Sequence, residues 1–381
     1  MKIKKTRILF VAPLPPPVHG SAVVSKQIKD SKLINDTFCC DWVNMSTSRR
    51  MDEVGKITLS KPLRLFASLC KLIWLLLINR YDLCYLAITC HGKPFLKDAP
   101  FVLLCKLFYN KIVIHQHNKG LSEDVEKWPY RRLMPLIYKN TKIILLSWHL
   151  YPDIEKVVKK ENVFICPNGI NVIDLGVEVD NSELYIYNDN KDINEIPRLL
   201  FLSNLIESKG VIVLLDALKI LMERGLTFQC DFVGGESKDI DIKRFAKEIT
   251  NRGLSRVTFY RGKKYGKEKW RFFKQSDIFV FPTENDCFPL VLLEAMAHRL
   301  PIITTNEGGI PDIVVNGKNG IICERKNPES LANCITVLLN DKNLCRKMGD
   351  EGYRILKERF TEELFEEKML EILNTCQGTS L

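Results

Sequence analysis

Residues 283–298, which read TENDCFPLVLLEAMAH, combine two carboxylates with the predicted start of an amphipathic helix. Pro289 is predicted to open the helix, because proline is favoured at a first helical position, where its missing N–H has no partner to lose. Glu294 would lie about 7.5 Å further along the axis, and Asp286 lies in the polar loop before it. The amides and positive dipole end of a helix N-terminus attract anions. This set suits a ligand with a diphosphate and several hydroxyls, as in a nucleotide sugar.

The same segment resembles the donor-site motif of the family-4 retaining glycosyltransferases, which places two glutamates around such a helix start and continues as Glu-Ala-Met-Ala. Asp286 occupies the first acidic position, and Glu294 stands eight positions later at the head of the run EAMA. The resemblance implies that Glu294 accepts hydrogen bonds from the donor's ribose hydroxyls and that Asp286 accepts one from the sugar. Aspartate is shorter than the family's glutamate by one methylene, which affects its reach. An ordinary helix with a solvated glutamate is the alternative interpretation.

The resemblance also implies that backbone amides near the helix start approach the diphosphate or the sugar. The amides concerned belong to Phe288, Leu290 and Val291, whereas Pro289 has no amide to donate. Cys287 in the same loop is expected to pack rather than to act as a nucleophile, because no adjacent base can be identified.

Lys209 lies in FLSNLIESKGVIVLLDAL, where a strand is predicted to end and a helix to begin. A lysine there can place a point charge against phosphate oxygens, and Gly210 allows close approach of the backbone. The stretch resembles the family segment whose arginine and lysine bind the donor diphosphate. Asn204 stands at the arginine position, so diphosphate binding is expected to depend more on Lys209 and on helix dipoles. An exposed loop lysine is the alternative.

Two glycines that follow predicted strands are further candidates for the donor site. Gly20, in APLPPPVHGSAVVSKQI, is not part of G-x-G-x-x-G, so the nicotinamide-cofactor fingerprint is absent. The family has a glycine-containing loop here that approaches the donor phosphate and the acceptor. Ser21 is predicted to cap the following helix. Gly234, after the strand QCDFV, fits close approach to the nucleotide.

His117 ends the predicted strand in KIVIHQHNKG, and His115 lies two residues earlier on the same face of an extended chain. The spacing alone permits a zinc pair, but no third ligand is in reach by sequence. The family resemblance favours His117 as a cleft residue that hydrogen-bonds the transferred sugar or guides the acceptor, with His115 packing or orienting it. A structural histidine with satisfied hydrogen bonds is the alternative.

Apolar strand-like runs alternate with helical patterns along the chain, which predicts an α/β protein with parallel sheets. Five strands are predicted in each half, and the acidic stretch 177–196 is predicted to link them. The resemblance implies the GT-B fold, in which two Rossmann-like doubly wound domains face each other across a cleft. We predict an acceptor domain at 1–180 and a nucleotide-sugar donor domain at 197–360. Residues 361–381 would form a helix that packs back on the first domain.

Charge is distributed unevenly along the 381 residues. Residues 1–170 contain 27 Lys and Arg against 13 Asp and Glu, whereas the remainder contains 29 against 33. A basic first half is expected to face an anionic partner, such as an anionic membrane surface or a lipid pyrophosphate. No nucleic-acid-binding signature accompanies the basic residues, so nucleic acid is not an expected partner. A solvated basic surface is the alternative.

The most apolar stretch, residues 63–78 (LRLFASLCKLIWLLLI), is interrupted by Arg64 and Lys71. It falls short of the ~20 apolar residues that a membrane span needs, so we expect a core helix or a helix partly exposed to lipid headgroups. Thirteen cysteines without any C-x-x-C pair argue against a disulfide framework or a zinc site. A cytoplasmic protein is expected, with a peripheral position on the inner membrane face as an extension of the basic half.

Taken with the resemblance, these residues predict a retaining glycosyltransferase that moves a sugar from a nucleotide-sugar donor to a glycan or lipid-linked saccharide in cell-surface polysaccharide biosynthesis. The leaving phosphate would take the acceptor proton, so no general base is assigned. No cofactor or metal is expected, because no Asp-x-Asp pair stands in a suitable loop. A nucleotide-sugar epimerase of the same architecture is one alternative. A catalytically weak sugar-nucleotide-binding subunit, suggested by Asn204 and Asp286, is another.

Overall fold

The computed structural model describes residues 5–48, 60–108, 111–175 and 196–378. The chain divides into two compact units, and the boundary between them falls after Asn168. Unit 1 comprises Met1–Asn168 with Glu362–Leu381, and unit 2 comprises Gly169–Thr361. The predicted linker 177–196 lies outside the described residues except for Ile196.

Unit 1 is built on one parallel six-stranded sheet. Its strands are β1 (Arg7–Ala12), β2 (Cys39–Asn44), β3 (Leu83–Ile88), β4 (Ile112–Gln116), β5 (Lys142–Leu145) and β6 (Val163–Ile165). Its helices are α1 (Gly20–Asp30), α2 (Lys32–Thr37), α3 (Ser60–Ile78), α4 (Gly92–Phe108), α5 (Leu121–Asp124), α6 (Tyr130–Tyr138) and, from the end of the chain, α14 (Glu362–Gln377). The strand order is β2-β1-β3-β4-β5-β6, and every pairing is parallel.

Unit 2 repeats this plan with a second parallel six-stranded sheet. Its strands are β7 (Arg198–Leu202), β8 (Gln229–Val233), β9 (Thr258–Gly262), β10 (Ile278–Phe281), β11 (Ile302–Thr305) and β12 (Gly320–Cys323). Its helices are α7 (Val211–Glu223), α8 (Ile242–Asn251), α9 (Gly266–Gln275), α10 (Leu290–Ala297), α11 (Ile310–Ile313), α12 (Pro328–Asn340) and α13 (Lys342–Arg359). The strand order is β12-β11-β10-β7-β8-β9, again all parallel.

The central strands form where the sequence is continuously apolar. All six residues of β3 and all four of β10 are buried, as expected for parallel strands covered by helices on both faces. The sequence prediction of five strands per half missed β2 and β12, which lie at the edges of the two sheets. Strand β2 has one buried residue among six, and β12 has two among four, so neither is continuously buried as β3 and β10 are.

Helix α14 completes the core of unit 1 although it comes from the end of the chain. Its apolar side chains Phe365, Met369 and Leu373 join the buried cluster that contains Ile8 and Phe10 of β1. Part of the core of unit 1 is therefore supplied by a segment that follows the whole of unit 2 in the sequence.

The strand order fixes where ligands can bind. In unit 1 the order reverses between β1 and β3, and in unit 2 it reverses between β7 and β10. In open parallel sheets the loops at the carboxyl ends of the strands diverge at such a point and leave a crevice. The loops that follow β1 and β3, and those that follow β7 and β10, are therefore the places to look for a site.

Candidate functional site

The loops after β7 and β10 are joined by Lys209. Its Nζ lies 2.6 Å from Asp286 Oδ2 and 2.8 Å from the Asn285 carbonyl oxygen. The backbone N–H of Glu284 also donates to the Ser208 carbonyl oxygen at 2.8 Å. Lys209 and Asp286, 77 positions apart, thus meet at the point where the strand order of unit 2 reverses.

The Asp286 loop is held from a second side by the loop after β11. Asp286 Oδ1 accepts a hydrogen bond from Cys287 N at 2.9 Å, and Gly309 N donates to the Cys287 carbonyl oxygen at 2.6 Å. A Cβ placed on Gly308 would stand 2.2 Å from the Asp286 carbonyl oxygen. Gly308 therefore permits a backbone contact that fixes the position of the carboxylate.

Gly308→Ala should destabilise unit 2, because the new methyl group must displace the Asp286 loop. Its φ of +52° adds the usual cost of about 1–2 kcal/mol for an L-residue in the left-handed region. Gly317→Ala is the matched control, since Gly317 has a φ of +80° but nothing within 4 Å of the place where a Cβ would stand. Urea unfolding of both variants separates the two costs, and equal losses of unfolding free energy would contradict the predicted contact.

Helix α10 begins one residue later than expected. Pro289 is its N-cap, with φ −71° and ψ 115°, so the first helical residue is Leu290 and the prediction of proline at that position is wrong by one residue. The amides of Leu290 and Val291 belong to the first turn, whose N–H groups have no acceptor within a helix. They follow Asp286 by four and five residues in the sequence, so the positive end of α10 follows directly on the loop that carries Asp286.

The prediction that this helix is amphipathic is wrong. None of its residues is exposed; Leu290, Val291 and Glu294 are partly buried, and the others are buried. The Phe288 side chain is buried too, with its ring 5.8 Å from that of Phe360. Only the backbone of Phe288 can therefore serve a ligand without moving the packed ring.

Glu294 is paired with a lysine that the sequence analysis missed. Lys269, on α9, places its Nζ 2.6 Å from Glu294 Oε1, and both side chains are mostly buried. The segment GKEKWRFFKQ reads as a charged surface helix, and no signal in it singles out Lys269. Each of the two carboxylates is thus oriented by a lysine from another element, and carboxylate oxygens have lone pairs left for ligand hydroxyls.

Asn204 and Gly234 join the loops after β7 and β8. Asn204 Oδ1 accepts a hydrogen bond from Gly235 N at 3.0 Å. A Cβ on Gly234 would stand 1.8 Å from the Ser203 carbonyl oxygen, so glycine is needed there for backbone packing. Because the Asn204 side-chain oxygen is already engaged by Gly235 N, its NH₂ group is the part of the side chain that could donate a hydrogen bond to a ligand. Asn204 therefore braces the loop, a role that its position in the sequence did not reveal.

A cavity of about 520 Å³ lies in unit 1 where the loops after β1, β2, β3 and β4 meet. It opens at the reversal of strand order between β1 and β3. Its polar and charged lining includes His19, Ser21, Lys61, Lys93, Lys97, Asp98, His117 and Asn118. Among the described lining residues there are three lysines and one carboxylate, Asp98, which lies 3.1 Å from Lys97 Nζ. The remaining positive charge makes this cavity suited to an anionic or hydroxyl-rich ligand.

His117 is the residue of this cavity that the sequence predicted. Its ring centroid lies 4.0 Å from that of His115, which is itself fixed by a 2.7 Å hydrogen bond between Nδ1 and Tyr85 Oη. The His117 Nε2 atom is buried and has no hydrogen-bond partner among the described residues. Burial, with a smaller contribution from the charge of nearby His19, lowers the pKa of His117 to about 3. The ring is therefore neutral near pH 7.

The start of α1 differs from the prediction that Ser21 caps it. The helix begins at Gly20 with His19 as N-cap, and no side chain caps it. The Ser21 hydroxyl instead lies 3.1 Å from His19 Nδ1, because the N-cap position falls on His19, two residues earlier than expected. A Cβ on Gly20 would meet no heavy atom within 4 Å. Protein packing therefore does not require glycine here, whereas close approach of a ligand would.

His117→Gln should flatten the dependence of stability on pH. The folded-state pKa of about 3 lies below the ordinary 6.5, so in that window the unfolded chain binds a proton that the folded chain does not. Wild-type stability therefore falls as the pH drops from about 6 to 4, by up to ~1.4 kcal/mol per pH unit from this residue. Chemical unfolding at several pH values measures the slope. His149→Gln, at an exposed position, is the control, and parallel wild-type and His117→Gln curves would contradict the assignment.

The described residues contain no group of three or more His, Cys, Asp or Glu side chains that could hold a metal ion. Asp239 and Asp241 do form an Asp-x-Asp pair, but Asp241 Oδ1 accepts a hydrogen bond from Arg244 N as the N-cap of α8. That carboxylate therefore has a structural role at the start of a helix.

Residues 188–355, which include nearly all of unit 2 that carries Lys209, Asp286 and Glu294, match the family described as glycosyl transferases group 1. The chain is 27% identical over 203 residues to the capsular polysaccharide biosynthesis glycosyltransferase CapM of Staphylococcus aureus. That alignment covers 52% of this chain and 51% of CapM. The chain spans about half the length of the curated relatives it matches first.

Solved structures resemble the chain over almost its full length. Sucrose-phosphate synthase from Thermosynechococcus elongatus has a TM-score of 0.76 at 18% identity, covering 99% of this chain and 100% of that chain. HepE from Anabaena, in complex with UDP-glucose, has a TM-score of 0.70 at 16% identity, covering 97% and 99%. Likeness at these identities concerns the fold, and the predicted α/β class with a GT-B fold is confirmed.

Proposed function

Because residues 188–355 match the glycosyl transferases group 1 family, we propose that the protein is a retaining hexosyltransferase that uses a nucleotide-sugar donor. The observation that carries this proposal is the 2.6 Å contact between Lys209 and Asp286 at the start of α10. A cation, helix amides and oriented carboxylates at one crevice match the phosphates and hydroxyls of such a donor. HepE, solved with UDP-glucose, supports this class of ligand.

Different residues are proposed to contact the diphosphate, the ribose and the sugar of the donor. Lys209, the Asn204 amide and the first-turn amides of α10 face the diphosphate, where charge accumulates during transfer. Glu294 accepts hydrogen bonds from the ribose hydroxyls, and Asp286 accepts one from a hydroxyl of the sugar. The lysine partners of both carboxylates keep their oxygens in place before the donor arrives. Such preorganised groups act without reorganisation cost during the reaction.

The proposed reaction exchanges one bond of the anomeric carbon for another. The bond from that carbon to the diphosphate oxygen breaks as the acceptor hydroxyl oxygen forms a new bond on the same face of the sugar. The acceptor proton passes to the departing phosphate oxygen, so the products are the glycosylated acceptor and the nucleoside diphosphate. No protein base, metal or cofactor is required. Neutral His117 can donate a hydrogen bond to a hydroxyl of the acceptor in unit 1 but cannot supply a full positive charge.

We assign the acceptor to unit 1. Its cavity contains lysine, histidine, serine and asparagine side chains, which suit a saccharide carrying an anionic group. The proposed acceptor is a glycan or lipid-linked saccharide, and the proposed role is cell-surface polysaccharide biosynthesis in the cytoplasm. CapM, named for capsular polysaccharide biosynthesis, supports that role.

A second candidate is a sugar-nucleotide-binding subunit with little catalytic activity. Two substitutions favour it, since Asn204 stands where an arginine is expected and Asp286 where a glutamate is expected. Asn204 also uses its oxygen to brace Gly235. Such a subunit would bind the donor with the same residues but release nucleotide slowly.

The test is nucleotide release from a panel of nucleotide sugars, with and without polysaccharide or lipid-linked acceptors. We expect acceptor-dependent release, and proton NMR of the product should show the anomeric configuration of the donor. An epimerase would instead change the sugar without any acceptor. Binding without release would favour the weak subunit, and inversion of configuration would overturn the proposed mechanism.

A further inference from the structure

Helix α3 is apolar on two opposite sides. One side packs into unit 1 through the buried residues Leu72, Leu75 and Leu76. On the other side, exposed apolar residues recur every three or four positions, which is the spacing of one helix face. We call this set the apolar stripe, and it consists of Leu63, Phe66, Cys70, Ile73, Trp74 and Leu77.

The apolar stripe is strongly exposed. Leu63 is 71% exposed, Phe66 67%, Trp74 58% and Leu77 67%. At about 100° per residue, these positions lie opposite the buried face rather than at its border. An exposed apolar face of this length usually marks a surface for a protein or a membrane.

The neighbouring helix α4 extends the exposed apolar surface. It contacts α3, and its last two turns expose Leu103, Leu107 and Phe108. Both helices are crossovers that return from the carboxyl edge of the same sheet, so their C-terminal halves lie at the same end of unit 1. The exposed surface is therefore wider than a single helix.

Among the described residues, the exposed charged side chains of α3, α4 and α6 are positive. Helix α3 contains no Asp or Glu and carries Lys61, Arg64 and Lys71. Helix α6, which contacts α4, also lacks acidic residues and carries exposed Arg131 and Arg132. Helices that lie in a membrane interface combine an apolar face with Lys and Arg at the level of the anionic headgroups.

We infer that α3, together with the end of α4, docks unit 1 on an anionic membrane surface. The occupant is a layer of anionic lipid, because its acyl chains suit the apolar stripe and its headgroups suit the Lys and Arg side chains of α3 and α6. No helix in the described residues is long and apolar enough to cross a bilayer, so the contact lies at the interface. A second copy of this chain would bring the same basic helices face to face, which charge repulsion disfavours.

If the proposed function is correct, docking through α3 would bring the cavity of unit 1 close to an acceptor that is anchored in the membrane. Lys61, in its first turn, lines the cavity of unit 1, and the apolar stripe begins two residues later at Leu63. An acceptor whose lipid chain stays in the membrane could therefore place its anionic headgroup in the cavity. The docking itself does not depend on any reaction.

The experiment is flotation of the full chain with vesicles of phosphatidylcholine, alone or with phosphatidylglycerol. We expect binding to the anionic vesicles, little binding to the neutral ones, and a loss on raising the salt. The double variant Phe66→Ser/Trp74→Ser should bind at least about tenfold more weakly, and Lys71→Glu about tenfold more weakly. Val337→Ser, at an exposed apolar position of α12 in unit 2, is the matched control and should bind as the wild type does.

Tryptophan fluorescence gives a second measurement that loss of folding cannot imitate. Lipids brominated on the acyl chain should quench part of the wild-type emission on binding. Trp74→Phe should lose most of that quenching but still float, because phenylalanine retains an apolar ring. Unchanged quenching in Trp74→Phe would place the docking surface elsewhere.

Two results would overturn the docking surface. One is equal flotation of wild type and the double variant. The other is the absence of binding to anionic vesicles at low salt. If light scattering then shows a dimer that the double variant dissociates, the surface belongs to a second copy of the chain. Nucleotide release from the donor in the presence of a soluble acceptor should persist in the double variant. Absence of such release from the wild type would count against the proposed glycosyl transfer and not against the docking surface.

Discussion

Glu294→Gln is expected to lower kcat/KM for the donor by about a hundredfold or more. The substitution preserves the shape of the side chain but replaces the carboxylate, which is proposed to accept hydrogen bonds from the ribose hydroxyls, with a neutral amide. Hydrogen bonds to charged groups contribute about 1.5–3 kcal/mol each. It also leaves the Lys269 ammonium, now 2.6 Å from Glu294 Oε1, without its counter-charge. Steady-state kinetics with the donor that the release panel identifies measure the loss.

Two controls isolate the role of Glu294. Glu248→Gln removes a partly buried carboxylate of α8 that pairs with Arg252 and Arg244 and has no proposed contact with the donor, so it should leave the kinetics unchanged. Lys269→Met should raise KM more than it lowers kcat, because it loosens Glu294 without removing its charge. If Lys269→Met and Glu294→Gln have the same effect, Glu294 acts only as a structural partner of Lys269. Undiminished release in Glu294→Gln would rule out the ribose contact.

Lys209→Met is expected to lower kcat by about a hundredfold to a thousandfold. Lysine is the one side-chain cation proposed to face the leaving diphosphate, and removing a preorganised group of this kind typically costs about 2.7–4 kcal/mol of transition-state stabilisation. Asn204 carries no charge and cannot compensate. Pre-steady-state measurement of nucleotide release separates this loss from slower product dissociation.

The matched control for this variant is Lys219→Met. Lys219 forms an exposed pair with Glu223 on α7, where ion pairs contribute little, and its variant should turn over like the wild type. Unfolding experiments should accompany both variants, because Lys209 also bonds the Asn285 carbonyl oxygen. A Lys209→Met protein that is folded and retains wild-type kcat would show that the diphosphate binds elsewhere.

The sequence reveals the central strands of both sheets because their apolar runs are continuous. It does not reveal the edge strands β2 and β12, neither of which is buried along its whole length. The start of α10 is predicted to within one residue. The burial of α10 is not predicted, because elements distant in the sequence, such as α13, cover the helix on more than one side. Such packing leaves no pattern in the sequence of the helix itself.

In the candidate site, too, residues within a recognisable motif could be predicted from the sequence, whereas contacts between distant segments could not. Lys209 and Asp286 are recognisable from their own motifs, and the reversal of strand order explains why they meet. Lys269 has no motif, since only the fold of unit 2 brings α9 to Glu294. The bracing role of Asn204 depends likewise on a loop 31 positions away. Contacts between elements are thus the part that required the structure.

The most direct test of the proposed donor site is a thermal-shift comparison of wild type and Lys209→Met with nucleosides, nucleoside monophosphates and nucleoside diphosphates of each base. A ligand at about a hundred times its Kd stabilises the folded state by about 2.7 kcal/mol, which is readily measured. We expect at least one diphosphate to stabilise the wild type far more than its monophosphate does, and we expect Lys209→Met to lose that difference. Equal stabilisation of both proteins, or no response of the wild type to any diphosphate, would contradict the account.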